Sequence, residues 1–395
     1  MIELITISRF LTDYFWEYKL LSILHAAGSL AIPVALLIHF KMIPLKICQT
    51  DKIFFTFSFL TIVSFVVSFN NESIVDFLKF ITYFFFYFIG RLIPVKLANG
   101  KTLGVFALLA LSFLSVLAFT GNGYKSWGGV NTFTGGYFFK TDLAIASLIF
   151  LAAVFANLQN KIVLFAAISG AAYLVFKSNA RIALPLVLII PLFITISLRQ
   201  KFIKINVKTI AVGLIVSALS MSLFFLIDFK ALGMLGFDFS DPYSAANTQG
   251  RSVIWHAVFQ AYSNSDLIGK LFGLGFDADS RATHLFSESI QLEGVRAHSS
   301  YLYLLICMGI FGSFVFYYLL YSIFSKIPFL LRYGNRDAIK IAVLSATFFI
   351  LFAWLSLTTE IVIRPQLMVL LFFFSGLHVQ LYLNLKNKDI TNVRA

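Results

Sequence analysis

Three basic side chains stand where an apolar chain turns polar: Arg181, Arg251 and His298. Arg181 ends Ser178-Asn-Ala-Arg181 at the head of one apolar run. Arg251 opens Gly250-Arg251-Ser-Val-Ile-Trp255. His298 lies in Arg296-Ala-His298-Ser-Ser-Tyr301-Leu, the last polar step before another apolar run. A guanidinium fork bonds phosphate oxygens bidentately, and an imidazole can take up a proton near neutral pH. Arg181 and Arg296 fall at junctions where a side chain can meet a lipid head group, so a lipid-linked pyrophosphate suits the set. Two readings stand for His298: a general base, or a cap on the helix that follows it.

What must position these residues is a membrane domain. The 395-residue chain is 59% hydrophobic and only 12% charged, about half the charge of a soluble domain. Its mean hydropathy is +0.88. Apolar runs of roughly 20 residues, long enough to cross a hydrocarbon core, recur along it. The expected fold class is an all-α polytopic integral membrane protein of about eleven transmembrane helices, with ten to twelve as the range. The spans read near 20–40, 53–69, 74–92, 102–120, 141–157, 162–177, 182–198, 208–227, 299–323, 339–358 and 361–384.

The expected organisation has five parts. Residues 1–19 form an interfacial segment anchored by Phe10, Tyr14, Phe15 and Trp16, and no cleavable signal peptide is expected there. Residues 20–227 hold transmembrane helices one to eight, and 228–298 form a large external loop with short helices. Residues 299–385 hold helices nine to eleven, and 386–395 a cytoplasmic tail. Cys48 and Cys307, the two cysteines, are too far apart in sequence to suggest a disulfide or a metal motif.

Lysine and arginine orient the helices. Lys41, Lys46, Lys52, Arg91, Lys96, Lys101, Lys161, Arg199, Lys201, Lys204, Lys208, Lys326, Arg332, Arg336, Lys340, Lys386, Lys388 and Arg394 fall in one set of connections. By the positive-inside rule that set is cytoplasmic, and residues 228–298 face outward. The N-terminus is external on this count, and internal if the first stretch holds one more span. The net charge of +13 is therefore a topology signal and not a nucleic-acid footprint.

Lys140, Lys177, Arg181, Arg251, Arg281, Arg296 and Arg364 break the rule by lying on the outer side. Within the loop, GRSVIWHAVFQAYS has helical spacing. Ile254, Ala257, Val258 and Ala261 form an apolar stripe, and Arg251, Trp255 and Tyr262 share the next face. Such a helix can lie on the membrane surface with Trp255 at the interface, or serve as a plain lid. Phe272-Gly-Leu-Gly-Phe276 permits close backbone approach. Asp277 and Asp279 are either solvated or a cation site that lacks a third ligand. Asp76, Lys79 and Glu360 are the ionisable residues a transport pathway would use, although Asp76 and Lys79 can also pair on one helix face.

In order and spacing, four segments of this chain resemble the O-antigen ligase and O-antigen polymerase superfamily of bacterial envelope glycosyltransferases. They are Gly135-Gly-Tyr-Phe-Phe-Lys140-Thr-Asp, Ser178-Asn-Ala-Arg181, Gly250-Arg251 with Trp255 and the Gly-Leu-Gly turn, and Ala297-His298-Ser-Ser-Tyr301-Leu with Met308-Gly-Ile-Phe-Gly312 after it. The likeness covers residues 120–315. The family commonly has an asparagine after the histidine and after the lysine, where this chain has Ser299 and Thr141.

The resemblance implies a GT-C-like, inverting, metal-independent transferase of the bacterial inner membrane that uses no cofactor. Its donor would be a glycan on undecaprenyl pyrophosphate, presented at the periplasmic face. Arg181 and Arg251 would hold the pyrophosphate and His298 would orient or deprotonate the acceptor hydroxyl. Lys140, Arg296, Trp255 and Tyr301 would complete the substrate site. The acceptor would be a growing O-antigen or capsule glycan for a polymerase, or lipid A-core for a ligase. A chain-length regulator is a further partner the resemblance allows, alongside membrane lipids. A transporter or flippase is the reading from another class.

Overall fold

The computed structural model describes residues 2–15, 17, 24, 27–28, 47–93, 100–127, 130–199, 251–286 and 295–394. In chain order the elements are α1 (Ile2–Tyr14), α2 (Gln49–Val67), α3 (Asn71–Leu92), α4 (Lys101–Phe119), β1 (Tyr124–Trp127), β2 (Val130–Phe133), α5 (Lys140–Asn157) and α6 (Lys161–Lys177). A 3₁₀ turn (Arg181–Ala183) leads into α7 (Leu186–Arg199). Then come α8 (Arg251–Asn264), α9 (Leu267–Phe272), α10 (Ala278–Phe286), α11 (Ser300–Phe324), α12 (Ile327–Tyr333) and α13 (Arg336–Leu355). A second 3₁₀ turn (Ile361–Ile363) precedes α14 (Pro365–Arg394).

Among the described residues, eight helical segments are long and apolar enough to cross a membrane. They are Gln49–Val67, Asn71–Leu92, Lys101–Phe119, Lys140–Asn157, Arg181–Leu198, Ser300–Tyr333, Arg336–Leu355 and Pro365–Asn387. The chain is an all-α polytopic membrane protein. Helix α6 coincides with the expected span at 162–177 but has 17 residues, fewer than each of those eight. The expected span at 208–227 lies outside the described residues, as does that at 20–40 except for residues 24, 27 and 28.

Helix α14 is the buried centre, and it packs most intimately on α3. Gly90 and Gly376 meet there: a Cβ at Gly376 would lie 2.1 Å from the Tyr87 carbonyl oxygen. Small residues let two membrane helices bring their backbones together, where dispersion replaces the hydrophobic drive that lipid cannot supply. Farther along this interface Arg91 is buried, with its Nη2 3.0 Å from Asp51 Oδ2, and Tyr87 donates to Asp51 at 2.7 Å. Arg91 therefore contributes a packed ion pair and not a solvated loop charge.

One local expectation changes. Phe10 does not sit at an interface; it is buried 4.5 Å from the Phe150 ring, and α1 packs on α4 and α14. The segment before α5 holds an antiparallel hairpin with Tyr124 opposite Phe133 and Lys125 opposite Thr132. Phe133 is buried and anchors it. Trp16 lies outside the described residues.

The Gly-Leu-Gly turn docks into a broken helix. At Gly309 the backbone of α11 leaves helical geometry, with φ 68° and ψ −173°. The break frees carbonyls on the N-terminal side, and in an apolar layer each needs a new donor. Leu274 N–H donates to Ile306 O at 2.8 Å, and Gly275 N–H donates to Cys307 O at 3.1 Å. A Cβ at Gly273 would lie 2.4 Å from the Cys307 carbonyl, and one at Gly309 2.4 Å from the Leu271 carbonyl. Gly309→Ala is therefore expected to destabilise by at least the roughly 1–3 kcal/mol of a strained residue. Maleimide labelling of buried Cys307 in a Cys48→Ser background reads this directly, as faster labelling at a given temperature.

Candidate functional site

The residues that could do chemistry meet where the chain enters α11. His298 holds a left-handed backbone, φ 51°, immediately before Ser299, the N-cap of α11. Two serines then fix the junction to the turn after α13. Ser300 N–H donates to Ser356 O at 3.0 Å, and Val362 N–H donates to Ser300 Oγ at 3.1 Å. Ser299 Oγ donates to Ser356 O and Ser300 Oγ to Thr359 O, each at 3.2 Å. A non-glycine residue at positive φ persists only where its surroundings over-determine it, and these bonds do so.

The junction delivers His298 to Glu360. The His298 backbone N–H donates to the Glu360 carboxylate, and Nδ1 lies 3.6 Å from Glu360 Oε2. The histidine side chain is 39% exposed and the glutamate 1%. Burial alone would raise the Glu360 carboxyl, but the hydrogen bonds and charge of His298, together with Arg364, hold it below the ordinary carboxylate range. In sequence Glu360 reads as a transport-pathway residue. Sequence does show it as a lone acid between two apolar runs, but its partner is 62 positions away.

Two cations, Arg251 and Arg364, act on Glu360, and Lys140 and Arg181 are linked to the set through Arg251 and Lys140. Lys140 is the first residue of α5 and feels the charges of both Arg251 and Arg181. Arg251 opens α8; burial lowers its affinity for its proton and the Glu360 charge raises it. Arg181 opens the 3₁₀ turn, which Trp354 holds against α13 through Nε1–H to the Ile182 carbonyl at 2.7 Å. Two residues before Arg181, Asn179 is also left-handed, at φ 53°. Arg364 lies over the Phe139 ring at 4.7 Å and 3.5 Å from Asp142 Oδ1. Gln366 Nε2 donates to the Asp142 carbonyl at 3.0 Å, which ties the start of α14 to the start of α5. Among the described residues, neither Lys140 nor Arg251 forms an ion pair with a carboxylate.

Helix α8 buries the expected stripe of Ile254, Ala257, Val258 and Ala261, which faces α10 and α11. Trp255, one turn beyond Arg251, has a buried indole N–H with no hydrogen-bond partner among the described residues. A substrate oxygen would satisfy that donor.

Two expected ligands have other occupations. Arg296 Nη1 lies 3.0 Å from Asp76 Oδ2 and 3.3 Å from both Asp277 Oδ1 and Asp279 Oδ1, while Nη2 is 3.7 Å from Glu72 Oε2. Burial would lower its pKa, but Asp279 and Asp76 outweigh that and raise it. Its guanidinium is engaged by carboxylates, so Arg296 ties the segment before α11 to α3 two residues before His298. Asp277 and Asp279 accordingly face a guanidinium rather than forming a cation site. Burial pushes Asp279 up to about 6 against the pull of Arg296. Asp76 also pairs with Lys79 at 2.9 Å, as the spacing predicts, and accepts from Tyr303 at 2.8 Å. Tyr301 spends its hydroxyl on the Ala353 carbonyl at 2.9 Å and stacks on Tyr317, so it braces the junction.

Removing one partner of a buried ion pair strands the other, at about 3–5 kcal/mol. Arg296→Ala is therefore expected to cost that much and to leave little folded protein in detergent. Size-exclusion of a fluorescent fusion measures it; a wild-type monodisperse peak would contradict the lock.

No protein-family model matches this chain, and no curated protein matches it in sequence. The chemistry of the site is therefore read from its own side chains. Lys140, Arg181 and Arg251 come from three separate helix starts, and Lys140 feels the charges of both arginines. Such a cluster suits an anion with several oxygens. Next to Glu360 stands a partly exposed histidine whose Nδ1 faces that buried carboxylate.

Proposed function

We propose that this chain is a surface-polysaccharide polymerase of the O-antigen or capsule type, working at the periplasmic face of the bacterial inner membrane. It transfers a glycan from undecaprenyl pyrophosphate to an acceptor sugar hydroxyl, with inversion and without a metal. The observation that carries the reading is the run of neighbouring charges from Arg181 and Lys140 through Arg251 to Glu360, whose carboxylate lies 3.6 Å from His298 Nδ1.

The residues divide the work simply. Arg181 and Arg251, with Lys140, hold the pyrophosphate and stabilise the charge it gains as the glycosidic bond to it breaks. His298 accepts the proton of the acceptor hydroxyl, whose oxygen forms the new bond at the anomeric carbon. Glu360 fixes the imidazole and stabilises its protonated form. Trp255 offers its free indole N–H to the donor. The transport reading loses support, because Asp76, Lys79 and Glu360 are engaged with partners at the helix junctions.

Reconstitution in proteoliposomes with an undecaprenyl-pyrophosphate oligosaccharide tests this. A product ladder without lipid A-core is expected. Transfer only when lipid A-core is supplied would make the protein a ligase, and no transfer under either condition would refute the proposal. The rate is expected to be unchanged in EDTA; loss of activity on chelation would reject the metal-free mechanism.

A further inference from the structure

At the opposite end of the bundle a second polar site opens, independent of the chemistry above. A cleft of about 350 Å³ lies between the start of α2, the end of α11 and the last turns of α14. Gln49, Thr50, Ser322, Lys326, Tyr382 and Lys386 line it. Lys326 is half-buried and held in place: its ammonium donates to Thr50 Oγ1 at 2.7 Å and to the Ser322 carbonyl. Thr50 and Ser322 hydroxyls are themselves 2.8 Å apart.

The charges there are unbalanced. Lys326 Nζ and Lys386 Nζ each lie 5.8 Å from the centroid of the same ring, Tyr382. Among the described residues no carboxylate comes within ion-pair distance of either lysine, and the neighbouring Asp51 is bonded to Arg91. Two ammonium groups drawn to one ring in a partly desolvated cleft repel each other unless an anion joins them. Tyr318 and Tyr321 flank the cleft with exposed rings, the residue type that marks head-group depth in a membrane. Lysine density in the sequence assigns this end to the cytoplasmic side, where anionic lipids attract basic clusters.

We propose that this cleft binds a phosphate oxyanion, bridged by Lys326 and Lys386, with a phosphodiester lipid head group of the inner leaflet as its source. Native mass spectrometry of the whole detergent-solubilised protein tests it, with phosphatidylglycerol, phosphatidylcholine and inorganic phosphate as the three probes. Phosphatidylglycerol is expected to be retained in preference to phosphatidylcholine. Lys386→Gln or Lys326→Gln should weaken that retention about fivefold, and the double variant about thirtyfold. Lys386 is exposed, so its replacement leaves the fold intact and keeps the result interpretable. Competition by millimolar inorganic phosphate without lipid preference would support the anion site and assign it to a free ion. Equal retention of both lipids with no phosphate competition, or retention unchanged in the double variant, would overturn the proposal. None of these readouts depends on glycan transfer.

Discussion

Arg251→Ala is expected to lower kcat/KM for a lipid-pyrophosphate glycan by roughly 10²–10³-fold, the usual loss when one preorganised donor to a developing negative charge is removed. The protein should still accumulate in the membrane. Arg251 begins α8 and forms no ion pair among the described residues, so its removal strands no buried carboxylate comparable to Asp76 or Asp279. What it does hold is a cationic field that reaches Lys140 on one side and Glu360 on the other. Arg251→Lys keeps the charge and loses the fork, so it should recover only part of the rate. Full activity in Arg251→Ala, measured at saturating and subsaturating donor, would remove the phosphate clamp from the mechanism. The contrast with Arg296→Ala is the useful control. One arginine faces other cations and should cost catalysis; the other faces carboxylates and should cost the fold.

That contrast also explains what could be read in sequence. Periodicity is local, and local features came through. The α8 stripe at Ile254, Ala257, Val258 and Ala261 is the buried face, and Asp76 pairs with Lys79 three positions on. The apolar runs delimit helices from α2 to α14. The Gly-Leu-Gly turn does make a close backbone approach, although its target, the broken turn of α11, depends on Gly309 more than thirty positions later. Partner choice is different, because it is decided by tertiary placement. Arg251 and Arg296 look alike in sequence, and nothing near either one shows that α3 brings Asp76 to Arg296 alone. Glu360 is similarly silent: an acid between two apolar runs reads as a pathway residue until the Ser299–Ser300 stitch to residues 356–362 carries it to His298. Phe10 fails for the same reason, since an aromatic near a helix end looks the same whether lipid or Phe150 lies against it.

The second large effect is at His298. His298→Ala is expected to lower glycan transfer by about 10²–10⁴-fold, the range for losing a general base, with the protein still folded. The structural alternative, that His298 only caps α11, predicts otherwise, because the cap position belongs to Ser299 and the stitching bonds come from Ser299 and Ser300. Glu360→Gln separates positioning from chemistry. The amide oxygen can still accept the His298 backbone N–H, so the left-handed turn survives, but the negative charge is gone. Without the neighbouring anion the imidazole loses its orienting partner, and the maximal rate should fall with little change in KM. A merely structural Glu360 would leave kcat unchanged in the amide variant, and Glu360→Asp should restore it in part. Because Glu360 is held below the ordinary carboxylate range, its stabilising interaction is complete at neutral pH and is lost only as pH falls through that depressed value. Thermal stability that stays level into mildly acidic buffer and falls only below the ordinary carboxylate range would show that this interaction holds the junction; a fall already near neutral pH would contradict it.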